Sequence, residues 1–190
     1  MRLFTAIDLP DELLLRVERL IAALRPEAFV KWSPIDNIHI TTKFVGEWPE
    51  ARLAELNQAL ISIQPRRSFE VELKGFGWFP DQGPPRVLWS GVYGGDALTD
   101  LVRDTEESAA ALGVKREIHP YMPHLTLARI NNRVPLDGLR QKLAGMRPAV
   151  IGSFPVSRFH LYQSQPGSNA SLYRKLYEYN FEKAATANIL

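Results

Sequence analysis

Asn37-Ile38-His39-Ile40-Thr41-Thr42-Lys43-Phe44 alternates apolar and polar side chains. Successive side chains of a strand point to opposite faces, so Ile38, Ile40 and Phe44 are expected on one face and His39, Thr41 and Lys43 on the other. A second such run, Pro123-His124-Leu125-Thr126-Leu127-Ala128-Arg129, places His124 85 residues after His39. Arg86-Val87-Leu88-Trp89-Ser90 follows Arg2-Leu3-Phe4-Thr5-Ala6 by 84 residues, nearly the same offset. An internal duplication accounts for both spacings.

The duplicated order can be read outward from these strands. Residues 2–8 form a strand, and Pro10-Asp11-Glu12 starts a helix, with proline in the first turn and acids at the positive end of the dipole. Leu13, Val17, Leu20 and Leu24 are its expected stripe. Pro49-Glu50 opens a second helix carrying Leu53, Leu56, Leu60 and Ile63, and Phe69, Val71 and Leu73 alternate in the next strand. Gly75 to Pro85, rich in glycine and proline, reads as the connection between halves. The second half then repeats the order: strand Val87–Tyr93, helix from Asp96, strand His124–Ile130, helix Pro135–Met146 and strand Ile151–Tyr162. A last strand, Leu172–Phe181, and a loose tail, Glu182–Leu190, follow.

Alternation of this kind indicates sheets covered by helices on one face only, whereas parallel sheets buried on both faces read as continuous apolar runs. The expected fold is therefore α+β and bilobal: two pseudo-symmetric antiparallel or mixed sheets, helices on the outer faces, and a central cleft. A doubly wound parallel sheet is the competitor. The domain expected is a single one, residues 1–190, built of duplicated lobes at about 1–80 and 86–181.

Composition narrows the function classes. A chain of 190 residues that is 45% hydrophobic can bury a substantial core, and a net charge of +2 is too small for a protein that coats long nucleic acid. A small anionic substrate is compatible. With no cysteine there is no thiol nucleophile, disulfide or Cys-based zinc site, and the four histidines lack the spacing of a helical zinc pair. No metal and no other cofactor is expected. The N-terminus meets Asp8 before any apolar stretch of signal-peptide length, and no run is long enough to span a membrane, so a cytoplasmic monomer without membrane contact is expected.

Each His-x-Thr places an imidazole and a hydroxyl on one face of a strand, two residues apart. Imidazole titrates near neutral pH, so one ring can accept a proton from water while the other gives one to a departing oxygen. Threonine hydroxyls can hold the non-bridging oxygens of a phosphate. A lone strand histidine beside a threonine is usually structural. Two chance matches, given seven threonines and four histidines, are expected on the order of one time in a hundred.

Val30-Lys31-Trp32-Ser33-Pro34-Ile35-Asp36-Asn37-Ile38-His39-Ile40-Thr41-Thr42-Lys43-Phe44-Val45-Gly46-Glu47 resembles the first motif region of the two-histidine phosphoesterases. It is especially similar to the RNA 2′,3′-cyclic phosphodiesterases, first described as 2′-5′ RNA ligases. Tyr121-Met122-Pro123-His124-Leu125-Thr126-Leu127-Ala128-Arg129 fits the second motif, and the resemblance runs from Phe4-Thr5-Ala6-Ile7 to Leu161-Tyr162-Gln163-Ser164 and Tyr173. It implies a bilobal α+β fold with His39 as proton donor to the leaving 3′ oxygen and His124 as the base that activates water. Thr41 and Thr126 then hold the phosphate, and the product is a 2′-phosphomonoester. The implied partner is RNA ending in a 2′,3′-cyclic phosphate, or a small cyclic-phosphate nucleotide. The alternatives are 2′-5′ ligation and a non-catalytic RNA-end binding module. Met122 departs from the pattern, since many relatives carry a basic or polar residue there.

Other residues are expected outside the catalytic set. Lys43 shares a face with His39 but reads as an exposed strand-end lysine, and Arg129 has the opposite parity from His124, pointing away unless a bulge re-aims it. His119 and His160 read as structural histidines. Trp32, Trp78 and Tyr121 are the aromatic candidates for stacking on a base.

Overall fold

A computed structural model of the protein describes residues 1–63, 66–131, 133–146, 149–167 and 170–181. The expected tail, Glu182–Leu190, lies outside the described residues. The strands are β1 (Arg2–Asp8), β2 (Lys31–Trp32), β3 (His39–Glu47), β4 (Phe69–Phe79), β5 (Val87–Tyr93), β6 (His124–Arg129), β7 (Val150–Val156), β8 (Arg158–Gln165) and β9 (Leu172–Asn180). The helices are α1 (Asp11–Leu24), α2 (Leu53–Ile61), α3 (Gly95–Ala111) and α4 (Asp137–Gly145).

Two sheets form, ordered β3-β1-β8-β9 and β2-β6-β5-β4-β7, and their pairings are antiparallel. The α+β expectation holds and the parallel alternative does not. The sheets do not, however, follow the halves of the chain. β4, last strand of the first half, pairs with β5, while β8 from the second half pairs with β1. Each half thus gives two strands to the other's sheet, β2 and β4 from the first and β8 and β9 from the second.

Two expected boundaries move and one buried stripe changes. β4 continues through Gly75 to Phe79, so the connection between halves begins only at Pro80. Residues 151–162 split into β7 and β8, which lie in different sheets. In α1, Ile21 rather than Leu20 completes the fully buried stripe with Leu13, Val17 and Leu24. The back faces of both sheets contribute to one apolar core, with Leu3, Ile7 and Ile40 from one sheet and Val71, Leu73, Leu88, Leu125 and Leu127 from the other. A small separate cluster of Phe4, Ala6 and Tyr162 sits on the opposite face of β1.

Beta-bulges override simple parity in both histidine strands. In β3 the register passes from Ala6↔Thr41 to Thr5↔Lys43, leaving Thr42 as an extra residue. The Thr42 hydroxyl is buried and bonded to the Thr5 hydroxyl at 2.7 Å. Beyond it the faces exchange. Lys43 turns inward and Phe44 turns out, 61% exposed, which corrects the expectation that Lys43 shares the face of His39 and that Phe44 packs inward. In β6 the register passes from Thr126↔Trp89 to Ala128↔Leu88, leaving Leu127 as the extra residue. The two bulges, at Thr42 and Leu127, stand 85 residues apart, as His39 and His124 do.

The inward Lys43 reaches Glu106 of α3 at 2.6 Å, with 5% and 18% of the two side chains exposed. Its ammonium also donates to the Lys115 carbonyl at 3.1 Å, while the other Glu106 oxygen accepts from the Glu117 backbone N–H. β3 is therefore pinned to the segment that leads into β6. Removing one partner of such a pair strands a charge, at a cost of about 3 kcal/mol. Lys43→Ala should lower the stability in urea denaturation by about that amount, and Lys43→Met with Glu106→Leu should lose less. A Lys43→Ala loss no larger than that of the exposed Arg103→Ala would contradict the arrangement.

Candidate active site

The β3 and β6 motifs face one cleft of about 570 Å³. His39, Thr41, His124 and Thr126 all line it. All four histidine and threonine side chains expected at the site are therefore brought together. Lys43, His119 and Tyr121 are not among the lining residues. His119 is exposed and paired with Glu117 at 3.1 Å. His160 is buried between carboxylates, 3.3 Å from Asp8 and 3.1 Å from Glu178.

Each imidazole is held from behind. His124 Nδ1 lies 2.8 Å from the Met122 carbonyl, which can only accept, so Nδ1 carries the proton and Nε2 is left as the free nitrogen. His39 makes the matching hydrogen bond to the backbone of Asn37, again two residues upstream. Aromatic rings pack around both. Phe4 lies 4.9 Å from the His39 ring, Tyr173 meets it edge-on at 5.2 Å, and Phe79 meets His124 edge-on at 5.0 Å.

This packing dominates the electrostatics. Desolvation lowers the His39 pKa to about 4, against smaller upward effects of the Asn37 hydrogen bond and the Asp8 carboxylate; Arg129 and His124 add to the lowering. His124 is also lowered from 6.5, first by desolvation, with Met122 opposing and Arg129 reinforcing. Both rings are therefore neutral at pH 7 and ready to gain a proton when negative charge arrives.

Arg129, like Phe44, faces the cleft against regular strand parity, through the bulge that the sequence left open for it. The Leu127 bulge turns it into the cleft, where it stands at the position equivalent to Phe44, another lining residue. Of the aromatic candidates only Trp32 lines the cleft; Tyr121 donates to the Thr41 carbonyl at 2.8 Å and Trp78 lies under Arg140. Phe4 and Tyr173 join Phe44 as lining aromatics that periodicity did not single out.

The model of the family described as LigT-like phosphoesterase matches residues 7–89 and 94–173, spanning both motifs. The chain belongs to the LigT-like phosphoesterase family. It is 31% identical to the RNA 2′,3′-cyclic phosphodiesterase of Methanocaldococcus jannaschii, over 94% of this chain and 100% of that one. It is 39% identical to the enzyme of the same name from Aeropyrum pernix, over 75% and 81%. The structure of E. coli LigT complexed with 3′-AMP superposes with a TM-score of 0.77 at 27% identity, covering 95% of this chain and 97% of that one. Among the described residues, the LigT-like site has no cluster of His, Cys, Asp and Glu that could hold a metal ion, and no helix is long and apolar enough to cross a membrane.

The charges around this LigT-like site can be tested one at a time. Arg129→Gln removes a positive neighbour of both rings, so the NMR titration midpoints of His39 and His124 should both rise. Asp8→Asn removes a negative neighbour of His39 and should lower that midpoint while leaving His124 in place. A fall at either ring in Arg129→Gln, or a rise of His39 in Asp8→Asn, would contradict the arrangement.

Proposed function

We propose that this chain hydrolyses RNA 2′,3′-cyclic phosphodiester ends to 2′-phosphomonoesters, with His39 and His124 as an acid–base pair. The observation that carries the reading is the convergence of two His-x-Thr pairs, one from each half of a duplicated chain, on a single cleft. The relatives named RNA 2′,3′-cyclic phosphodiesterase support the substrate class.

In the proposed step, His124 Nε2 takes a proton from water as the water oxygen bonds to phosphorus. The bond from phosphorus to O3′ breaks, and His39 delivers a proton to that oxygen, leaving a 3′ hydroxyl and a 2′-phosphate. The rings end with their protonation exchanged, and solvent restores them. Thr41 and Thr126 donate to the non-bridging oxygens, and Arg129 offsets the charge that builds there. The two imidazoles complete both proton transfers, so the step does not call on a metal ion. A monomer suffices, because one chain supplies both motifs.

The division of roles draws on an asymmetry around the rings. Asp8 favours the charged form of His39, and no carboxylate is among the groups shifting His124. Substrate phosphate adds negative charge to the same place, so His39 becomes the cationic ring on binding.

His39→Ala and His124→Ala should each slow hydrolysis about 10²–10⁴-fold, and the double variant should lose less than the product of the two. Activity should survive EDTA. Since one ring must be charged and the other neutral, and both are shifted below 6.5 in the free enzyme, kcat/KM should follow a bell whose two limbs lie below that value. Near wild-type turnover in His124→Ala, or an alkaline limb of kcat/KM above the ordinary imidazole range, would refute the assignment.

A further inference from the structure

The backbone carbonyls of the two motif threonines each accept a hydroxyl from the other half of the chain. Tyr121, in the segment that enters β6, donates to the Thr41 carbonyl at 2.8 Å, and Ser33, just past β2, donates to the Thr126 carbonyl at 2.9 Å. Both carbonyls belong to the residue before a bulged one, Thr42 in β3 and Leu127 in β6. A bulge interrupts the ladder, so the backbone there relies on partners from outside it. Ser33 meets the bulge of β6 twice, since its backbone N–H also donates to the Leu127 carbonyl at 2.9 Å.

Each donor also sits close along the chain to the backbone group that holds the opposite imidazole. Met122 follows Tyr121 directly, and its carbonyl fixes His124. From Ser33 a single 3₁₀ turn, Ile35–Asn37, leads to Asn37, whose backbone holds His39. The hydrogen bonds therefore cross, tying the threonine of each motif to the support of the other motif's histidine. Because β3 and β6 belong to different sheets, the register of neither sheet sets the gap between the motifs. The Tyr121 ring packs on the apolar core, and Ser33 stands half-buried in the cleft wall.

We propose that Tyr121 and Ser33 are positioning residues for the hydrolysis, which set the separation of the Thr41 and Thr126 hydroxyls across the cleft. The inference rests on the cyclic phosphodiesterase reading, in which those two hydroxyls hold one phosphate between the imidazoles. Neither donor takes part in the proton transfers. Burial pushes the Tyr121 hydroxyl above the ordinary phenol range, so it remains a donor to Thr41 throughout the working range of the two histidines. A misplacement of about 1 Å can cost about 10²-fold in rate, so the loss of either hydrogen bond is felt in turnover.

The test is a set of double-mutant cycles on the full chain, with an RNA oligonucleotide ending in a 2′,3′-cyclic phosphate as substrate. Tyr121→Phe and Ser33→Ala each delete one donor, and Thr41→Val and Thr126→Val delete the hydroxyls that they place. Well below the melting temperature measured for each variant, Tyr121→Phe and Ser33→Ala should each lower kcat about ten- to a hundredfold with KM near the wild-type value. In the Thr41→Val background Tyr121→Phe should cost almost nothing further, and in Thr126→Val it should keep its full cost; Ser33→Ala should show the reverse. A purely structural role lowers the melting temperature and gives no such pairing. If both variants keep the wild-type kcat, or if each defect is the same in both backgrounds, the positioning role is overturned while the cyclic phosphodiesterase reading stands. A wild type that leaves the substrate intact removes that reading and the inference together.

Discussion

The exchange of strands between halves is the constraint on which this molecule depends. β1 and β3 carry the first histidine but rest on β8 from the far end of the chain, and β5 and β6 carry the second but rest on β4 from the first half. An edge pair of strands is marginal alone, and the third strand supplies the packing that fixes its register. Neither motif can be ordered before residues from both halves have met. The one apolar core beneath both sheets has the same consequence. The relative placement of His39 and His124 is therefore a property of the whole fold.

Much of this was legible in the sequence because the signals are local. Alternation of apolar and polar residues gave the histidine strands, and the 85-residue offset between His39 and His124 recurs between the bulged residues Thr42 and Leu127. The exchange was not legible, since strand pairing joins residues far apart and period-two patterning carries no record of the partner. One clue was present: Pro155 lacks a backbone donor and belongs on an edge strand, and β7 is the edge of its sheet. Read that way, residues 151–162 divide near Ser157 as the structure divides them.

The bulges explain the remaining differences. Thr42 and Leu127 are ordinary strand residues, and nothing in their chemistry announces an inserted position. Their effect on the cleft is nonetheless large. The first buries Lys43 against Glu106 and exposes Phe44 to the cleft; the second buries Ala128 and delivers Arg129 beside the imidazoles. Symmetry of the backbone thereby becomes asymmetry of the site, with a cation on one motif and an aromatic ring at the equivalent position of the other. Aromatic packing lowers both imidazoles, Arg129 lowers them further, and Asp8 favours charge on His39 alone. A desolvated ring gains most when the opposite charge arrives, which couples substrate binding to the protonation that the chemistry requires.

The central claim is that His39 protonates the departing 3′ oxygen while His124 activates water. Replacing the bridging 3′ oxygen of the cyclic phosphate with sulfur tests it directly, because a thiolate departs without needing a proton. Single-turnover rates with this substrate should show the His39→Ala defect largely erased and the His124→Ala defect undiminished. Rescue of His124→Ala instead, or rescue of neither variant, would contradict the assignment of acid and base.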